Sequence, residues 1–307
     1  MTALNLSCAE LTALYYLRDF QKAAFLPSHK MANWMRRAVV SPFAPFSYSS
    51  SGRTIIANLE MYERGTQNFR KPSFNINVVK SSDGTGYRVE EKVIVSYDFG
   101  RLLHFSKKRI YSEFSAKEAN ANKESEEVVL LVPPYSGHFS TLCKDTAKSL
   151  LKDHDLYVVD WKNGRDIAIY KGDFTLDDYI QTLMNFIRMI GRRVHVVAVC
   201  QPSVPVMATA ALMSKYDDPL RPKSMTLMGG PIDTRINPTK VNVIAKQKKL
   251  SWFEENVIAL TPNYYEGAMR RVCPGFVLLT GFMSLNMERH LNASIDHFQH
   301  LVKGDQD

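Results

Sequence analysis

Cys200 stands between a short apolar run, Val194–Val199, and a helix-like segment, Ser203–Lys215. A single nucleophile on a sharp turn between a strand and a helix is the arrangement of a nucleophile elbow, usually written GxSxG. Here the frame is Ala198-Val199-Cys200-Gln201-Pro202, with a thiol where a hydroxyl is usual. Strand and helix nearly touch two positions either side of the nucleophile, so small residues suit those places, and Ala198 is small. Pro202 falls in the first helical turn, where its missing N–H loses no hydrogen bond. Gln201 keeps its N–H, the group such a turn aims at an oxyanion. The chemistry on offer is acyl transfer, in which a thiolate adds to a carbonyl while main-chain N–H groups hold the oxygen. A cysteine at a strand end is also a common small buried residue. The surrounding elements therefore decide between the two readings.

Three apolar runs, Val128–Val132, Leu156–Asp160 and Val194–Val199, are too short for helices and contain several valines, and Ser224–Met228 is a weaker run of the same kind. Helix-like segments alternate with them at Thr141–Leu151, Leu176–Ile190 and Ser203–Lys215. Continuous apolar strands alternating with helices predict a parallel sheet covered on both faces. Ligands in such sheets collect at the carboxyl ends of the strands. Those exits carry Pro133-Pro134-Tyr135-Ser136-Gly137-His138, Asp160-Trp161, the Cys200 turn, and Gly229-Gly230-Pro231 with Asp233 beyond.

Upstream, Ala9–Leu26 reads as a helix stopped by Pro27, which removes a donor and biases Leu26 away from helical angles. Its Tyr15, Tyr16, Phe20 and Phe25 exceed what one packed face needs. The helix therefore reads as docked, with an alternative in which part of it meets something apolar. A Pro/Ser/aromatic loop, SPFAPFSYSS, and a helix around Thr54–Gly65 follow. Tyr87, Val89, Val93, Val95 and Tyr97 alternate with polar residues, which predicts a strand with one buried face. Arg101–Phe105 is its partner across a Phe99-Gly100 turn. Ser115–Glu127 is polar and lacks aromatics, a surface connection. From Asn237 the pattern is helical, including Leu285–Lys303, with a strand-like stretch only at Phe276–Leu279. The expected organisation is an N-terminal section of helices and hairpin packed on the sheet (1–114), a connection (115–127), the sheet core with the elbow (128–236) and a helical lid region (237–307).

At 45% hydrophobic and 23% charged, the composition excludes disordered and fibrous classes. The net charge of +8 comes from scattered pairs and triplets, including Arg36-Arg37 and Lys107-Lys108-Arg109, with no nucleic-acid motif beside them. No nucleic-acid partner is expected, and surplus charge could serve attraction to an anionic surface. Apolar runs fall far short of the ~20 residues of a spanning helix, and the N-terminus lacks the features of a secretory signal. Cys8, Cys143, Cys200 and Cys273 are widely spaced, which indicates neither a zinc site nor a disulfide framework and points to a reduced, cytoplasmic compartment. Oligomeric state is not legible.

LLVPPYSGHFSTL, LYVVDWKNGRDIAIYKGDFTLDDYI, VHVVAVCQPSVP and LMGGPIDTRINPTKVN together resemble the intracellular poly(3-hydroxybutyrate) (polyhydroxyalkanoate) depolymerases. YYLRDFQKAAFLP, SGRTI and LLHF extend the resemblance over nearly the whole chain. It implies an α/β-hydrolase fold, a mostly parallel sheet with helices on both faces and a helical lid. It implies hydrolysis of polyester on storage granules in the cytoplasm, with Cys200 as nucleophile and an acyl-thioester intermediate. Oxyanion donors would be the N–H groups of Gln201 and of the Tyr135–His138 loop near Ser136. No metal or organic cofactor is needed. The resemblance also implies a triad acid and histidine on loops after the last two strands. Neither is found here: no strand with a Gly-His loop follows Met228, and GDQD closes the chain where the family continues. The expectation is a truncated chain, with the last strands missing and His138 and Asp233 lining the site without completing the triad. Two alternatives come with it. One is a non-catalytic granule-surface protein. The other is an acyltransferase like the polyhydroxyalkanoate synthases, whose GxCxG elbow differs from AVCQP.

Overall fold

The chain opens with two helices, α1 (Cys8–Val39) and α2 (Ser50–Thr66), and then enters a seven-stranded sheet. The computed structural model describes residues 6–40, 48–66, 71–110, 126–135 and 139–304. Strands β1 (Val78–Lys80), β2 (Gly86–Ser96) and β3 (Gly100–Arg109) are antiparallel to one another. Strands β4 (Val128–Val132), β5 (Asp155–Trp161), β6 (His195–Val199) and β7 (Ser224–Met228) are parallel. The order across the sheet is β1-β2-β3-β5-β4-β6-β7, with β3 antiparallel to β5. All five residues of β4 are buried, as its uninterrupted apolar run requires.

Helices cover both faces of the parallel half. On one, Leu130, Val132, Val159 and Val196 pack with Leu183 and Phe186 of α4 (Leu176–Ile190) and Val206 and Met213 of α5 (Ser203–Lys215). On the other, Val129, Leu131, Leu156 and Val158 pack with Ala147 and Leu151 of α3 (Lys144–Leu151) and with Phe74 and Phe105. A Thr175–Asp178 capping box starts α4, and Gly191 ends it in the left-handed region at φ 70°. This is the α/β-hydrolase fold expected from the sequence. Four further helices follow, α6 (Lys240–Gln247), α7 (Leu250–Asn256), α8 (Gly275–Leu285) and α9 (Met287–Lys303). No helix among the described residues is long and apolar enough to cross a membrane.

Four expectations are corrected. Helix α1 does not stop at Pro27 but runs through it. The ring removes one hydrogen bond, and α2 compensates along the following turns. Tyr62 donates to Ser28 at 2.8 Å, Asn33 to Glu63 at 3.3 Å and Arg36 to Glu63 at 3.2 Å. Phe276–Leu279 is helical, the start of α8, and its Phe276 ring meets Tyr15 edge-on at 6.0 Å and lies under Arg18 at 4.9 Å. The buried face of β2 fails at Val93, which is half exposed, because a bulge between Val93 and Val95 shifts the register against β3. The organisation also differs: β1–β3 extend the sheet itself instead of packing on it. One unit comprises residues 71–238 and 263–275; the other comprises 1–70, 239–262 and 276–307. Most of the expected 115–127 connection and of the SPFAPFSYSS loop lies outside the described residues.

Candidate active site

Cys200 follows the last residue of β6 with φ 66°, the left-handed conformation that an L-residue adopts only where the surroundings enforce it. Three hydrogen bonds hold the turn. The Cys200 N–H donates to Met228 O at 2.8 Å, the Ser203 N–H to Cys200 O at 3.1 Å and the Val206 N–H to Pro202 O at 2.9 Å. The side chain of Cys200 is exposed, while Cys143 is buried and Cys8 and Cys273 are intermediate. Burial pushes the thiols of Cys143 and Cys273 up to about 11. Of the four cysteines, the one on the strained turn is the most exposed.

Small-residue crowding appears where the frame did not place it. A Cβ on Gly230, just past β7, would lie 2.0 Å from Ser203 Oγ and 2.7 Å from Cys200 O. Only glycine lets that loop pass so close to the turn. Gln201 also has a second part that the sequence reading missed. Its side-chain Oε1 accepts the Tyr135 N–H at 3.3 Å, which ties the exit of β4 to the elbow. The Tyr135 N–H is therefore engaged. Among the described residues the Gln201 N–H has no protein acceptor. Ser136 and His138, named from the sequence as oxyanion-loop and lining residues, lie outside the described residues.

The neighbouring exit, after β5, is built on a buried carboxylate. Asp160 is fully buried and accepts from Lys71, Arg101 and Ser140, with Arg101 Nε at 3.1 Å. Burial pushes its carboxyl up, but Lys71, Ser140 and Arg101 together outweigh that and hold it below the usual aspartate range. Beside it, Trp161 Nε1 donates to Pro133 O at 3.0 Å. The rings of Tyr135, Trp161, Phe174 and Tyr179 form an apolar cluster, with Trp161 and Tyr179 centred 4.4 Å apart. Burial pushes the phenols of Tyr135 and Tyr179 up, so both stay neutral at ordinary pH.

Arg270 is the other residue the sequence did not reveal, the first of two adjacent arginines in the stretch read as lid. It is buried and donates to the carbonyls of Ile167 at 2.9 Å, Gly172 at 2.7 Å and Ala168 at 2.6 Å. A Cβ on Gly267 would lie 2.7 Å from Arg165 O and 2.8 Å from Gly164 O and Ile167 O. Residues 263–275 are thus fastened to the loop that follows β5.

Asp233 pairs with Arg235 through contacts of 2.9 and 2.8 Å. Among the described residues, no histidine is hydrogen-bonded to Cys200. His104 pairs with Asp155 at 2.7 Å, and His195 bonds Ser224 at 2.7 Å. Asp155 is level with Val128 at the start of β4, whereas Cys200 follows the far ends of these strands. Six residues of strand separate the two levels, about 20 Å. The His104–Asp155 pair is at the wrong end of the sheet to act on this thiol.

Residues 229–307 match the protein family described as PHB de-polymerase C-terminus, where PHB is poly(3-hydroxybutyrate). No curated protein matches the chain in sequence. Among solved structures it is similar to a membrane phospholipase A described as a bacterial virulence factor, at 13% identity and TM-score 0.37 over 54% of this chain and 47% of that one. It is also similar to naproxen esterase (carboxylesterase NP) from Bacillus subtilis, at 15% identity and TM-score 0.34 over 52% of this chain and 49% of that one. The chain thus spans about half the length of these two structures.

Proposed function

We propose that this protein is an ester hydrolase of the depolymerase kind that cleaves poly(3-hydroxybutyrate) through Cys200. The observation that carries the reading is the exposed thiol at φ 66° between β6 and α5. The family match over residues 229–307 supports the substrate class. In the first half-reaction the Cys200 sulfur adds to the ester carbonyl, a C–S bond forms, and the C–O bond to the leaving hydroxyl breaks. The leaving oxygen takes up the proton, and a hydroxyacyl thioester remains on the enzyme. Water then cleaves the C–S bond, releasing the acid and the thiol. The Gln201 N–H is the main-chain donor placed for the carbonyl oxygen as it gains charge, and a second donor would come from the loop after Tyr135. Work on granules inside the cell is part of the same proposal.

The expected result with amorphous poly(3-hydroxybutyrate) particles is release of soluble hydroxyacids by the wild type, with loss of at least about a thousandfold in Cys200→Ala. Release that survives Cys200→Ala would reject the nucleophile assignment. A second reading has its own observation, the lack of a histidine bonded to Cys200 among the described residues. On that reading the chain binds polymer without cutting it, and wild type and Cys200→Ala would both bind particles while releasing nothing.

A further inference from the structure

Helix α1 has two unlike faces. His29, Ala32, Asn33 and Arg36 lie on the face toward α2, where Ala32 is buried and Arg36 bonds Glu63. At 3.6 residues per turn, the third of the circumference opposite that face contains only apolar residues from Ala9 to Ala38. Its large members are Tyr16, Leu17, Phe20, Met31, Trp34 and Met35, all exposed, with Phe20 at 71% and Trp34 at 70%. No charged residue falls inside this arc; Lys30 and Arg37 stand along one border. Helices stabilised by one packed stripe place polar residues outward. Here the outward stripe is the more hydrophobic one, and it runs the length of the helix, about 44 Å.

We propose that this face of α1 is the surface by which the protein adsorbs to its polymer, an uncharged, water-insoluble polyester. The inference rests on the depolymerase reading and adds the residues that meet the solid. Charge decides the occupant. An arc without charged side chains complements an uncharged solid. A helix built for anionic lipid surrounds its apolar stripe with a Lys/Arg-rich polar face, whereas here Lys30 and Arg37 share one border of the arc with Asp19, and the other border carries Glu10, Gln21 and Ser28. A second copy is disfavoured by area. A strip one third of a helix wide and this long offers about 500 Å² per copy, so a pair buries about 1,000 Å², below the ~1,200–2,000 Å² of stable interfaces. Its form agrees: one helix presents a ridge to an extended surface, not a groove for a small ligand.

The test is co-sedimentation of the full chain with amorphous poly(3-hydroxybutyrate) particles, with phosphatidylglycerol vesicles in parallel. Both substitutions in Phe20→Gln/Trp34→Gln fall on exposed positions, so the variant should melt like the wild type. Its partition onto particles should fall at least about tenfold, since two large apolar contacts are lost. Cys200→Ala should adsorb as the wild type does, and adsorption should persist in high salt. Adsorption of the double variant within twofold of the wild type would overturn the proposal. So would failure of the wild type to adsorb, preference for the vesicles, or a solution dimer that the two substitutions dissociate. A wild type that adsorbs through these residues yet releases no hydroxyacid leaves the surface assignment standing and rejects only the catalytic reading.

Discussion

At the scale of single residues, the turn at Cys200 was legible because everything that marks it is local: an apolar strand, one cysteine, a proline in the first helical turn. Its neighbours were not. Gly230 comes within contact of Ser203 and Cys200 O only because β7 lies beside β6, and the tie from Tyr135 to the Gln201 side chain depends on two strand exits meeting. The sequence reading valued Gln201 for its N–H, whereas the structure adds a structural use of its amide oxygen. Exposure and burial give the four thiols an order. Cys143 and Cys273, pushed up to about 11, are roughly a thousandth ionised at pH 8, while Cys200 is open to solvent. Peptide mapping after brief iodoacetamide treatment of the folded chain should find Cys200 labelled well ahead of Cys143 and Cys273. A Cys200 that labels only after unfolding would mean a closed turn, contrary to the geometry described.

Elements formed where hydrophobic pattern and length agreed. Strands β4 and β7 and helices α4 and α5 fall on the residues expected, because short strand-like runs and helical spacing are local signals. The errors lie where tertiary contacts overruled local rules: Pro27 inside α1, the bulge in β2, and Phe276–Leu279 drawn into a helix against Tyr15. Asp160 shows the same limit from the other side. Its place at a strand exit was legible, but its clamp on Lys71, Arg101 and Ser140 was not, since these come from separate parts of the chain. Because its carboxyl is held below the usual range when folded, its contribution to stability is complete above the unfolded value near ~4 and is lost as pH falls through the lower folded value. Asp160→Asn should therefore cost about 2–4 kcal/mol in urea unfolding at pH 7, with both cations left short of a partner. The gap to wild type should close as pH drops below about 4. A variant as stable as wild type at pH 7, or a gap unchanged down to pH 2, would contradict the clamp.

At the scale of the whole molecule, the fold class was legible and the grouping was not. A helical composition from Asn237 onward reads as one lid, but residues 263–275 belong with the sheet. The reason is that Arg270 and Gly267 bind the loop after β5, and neither residue carries a sequence signal for that contact. The helices of the other unit, read from the sequence as an N-terminal section and a lid, group together, and α1 among them carries an exposed apolar ridge. The account joins that ridge, as the place where polymer is met, to the exposed cysteine as the place where it is cut. The most direct test is whether an acyl group is ever carried on Cys200. An activated 3-hydroxybutyryl ester is mixed with the protein, quenched in acid within seconds, and examined by intact mass and peptide mapping. The account predicts a hydroxybutyryl adduct on the Cys200 peptide that hydroxylamine removes and Cys200→Ala lacks. Ester cleavage with no adduct on Cys200, or an adduct confined to another residue, would contradict it.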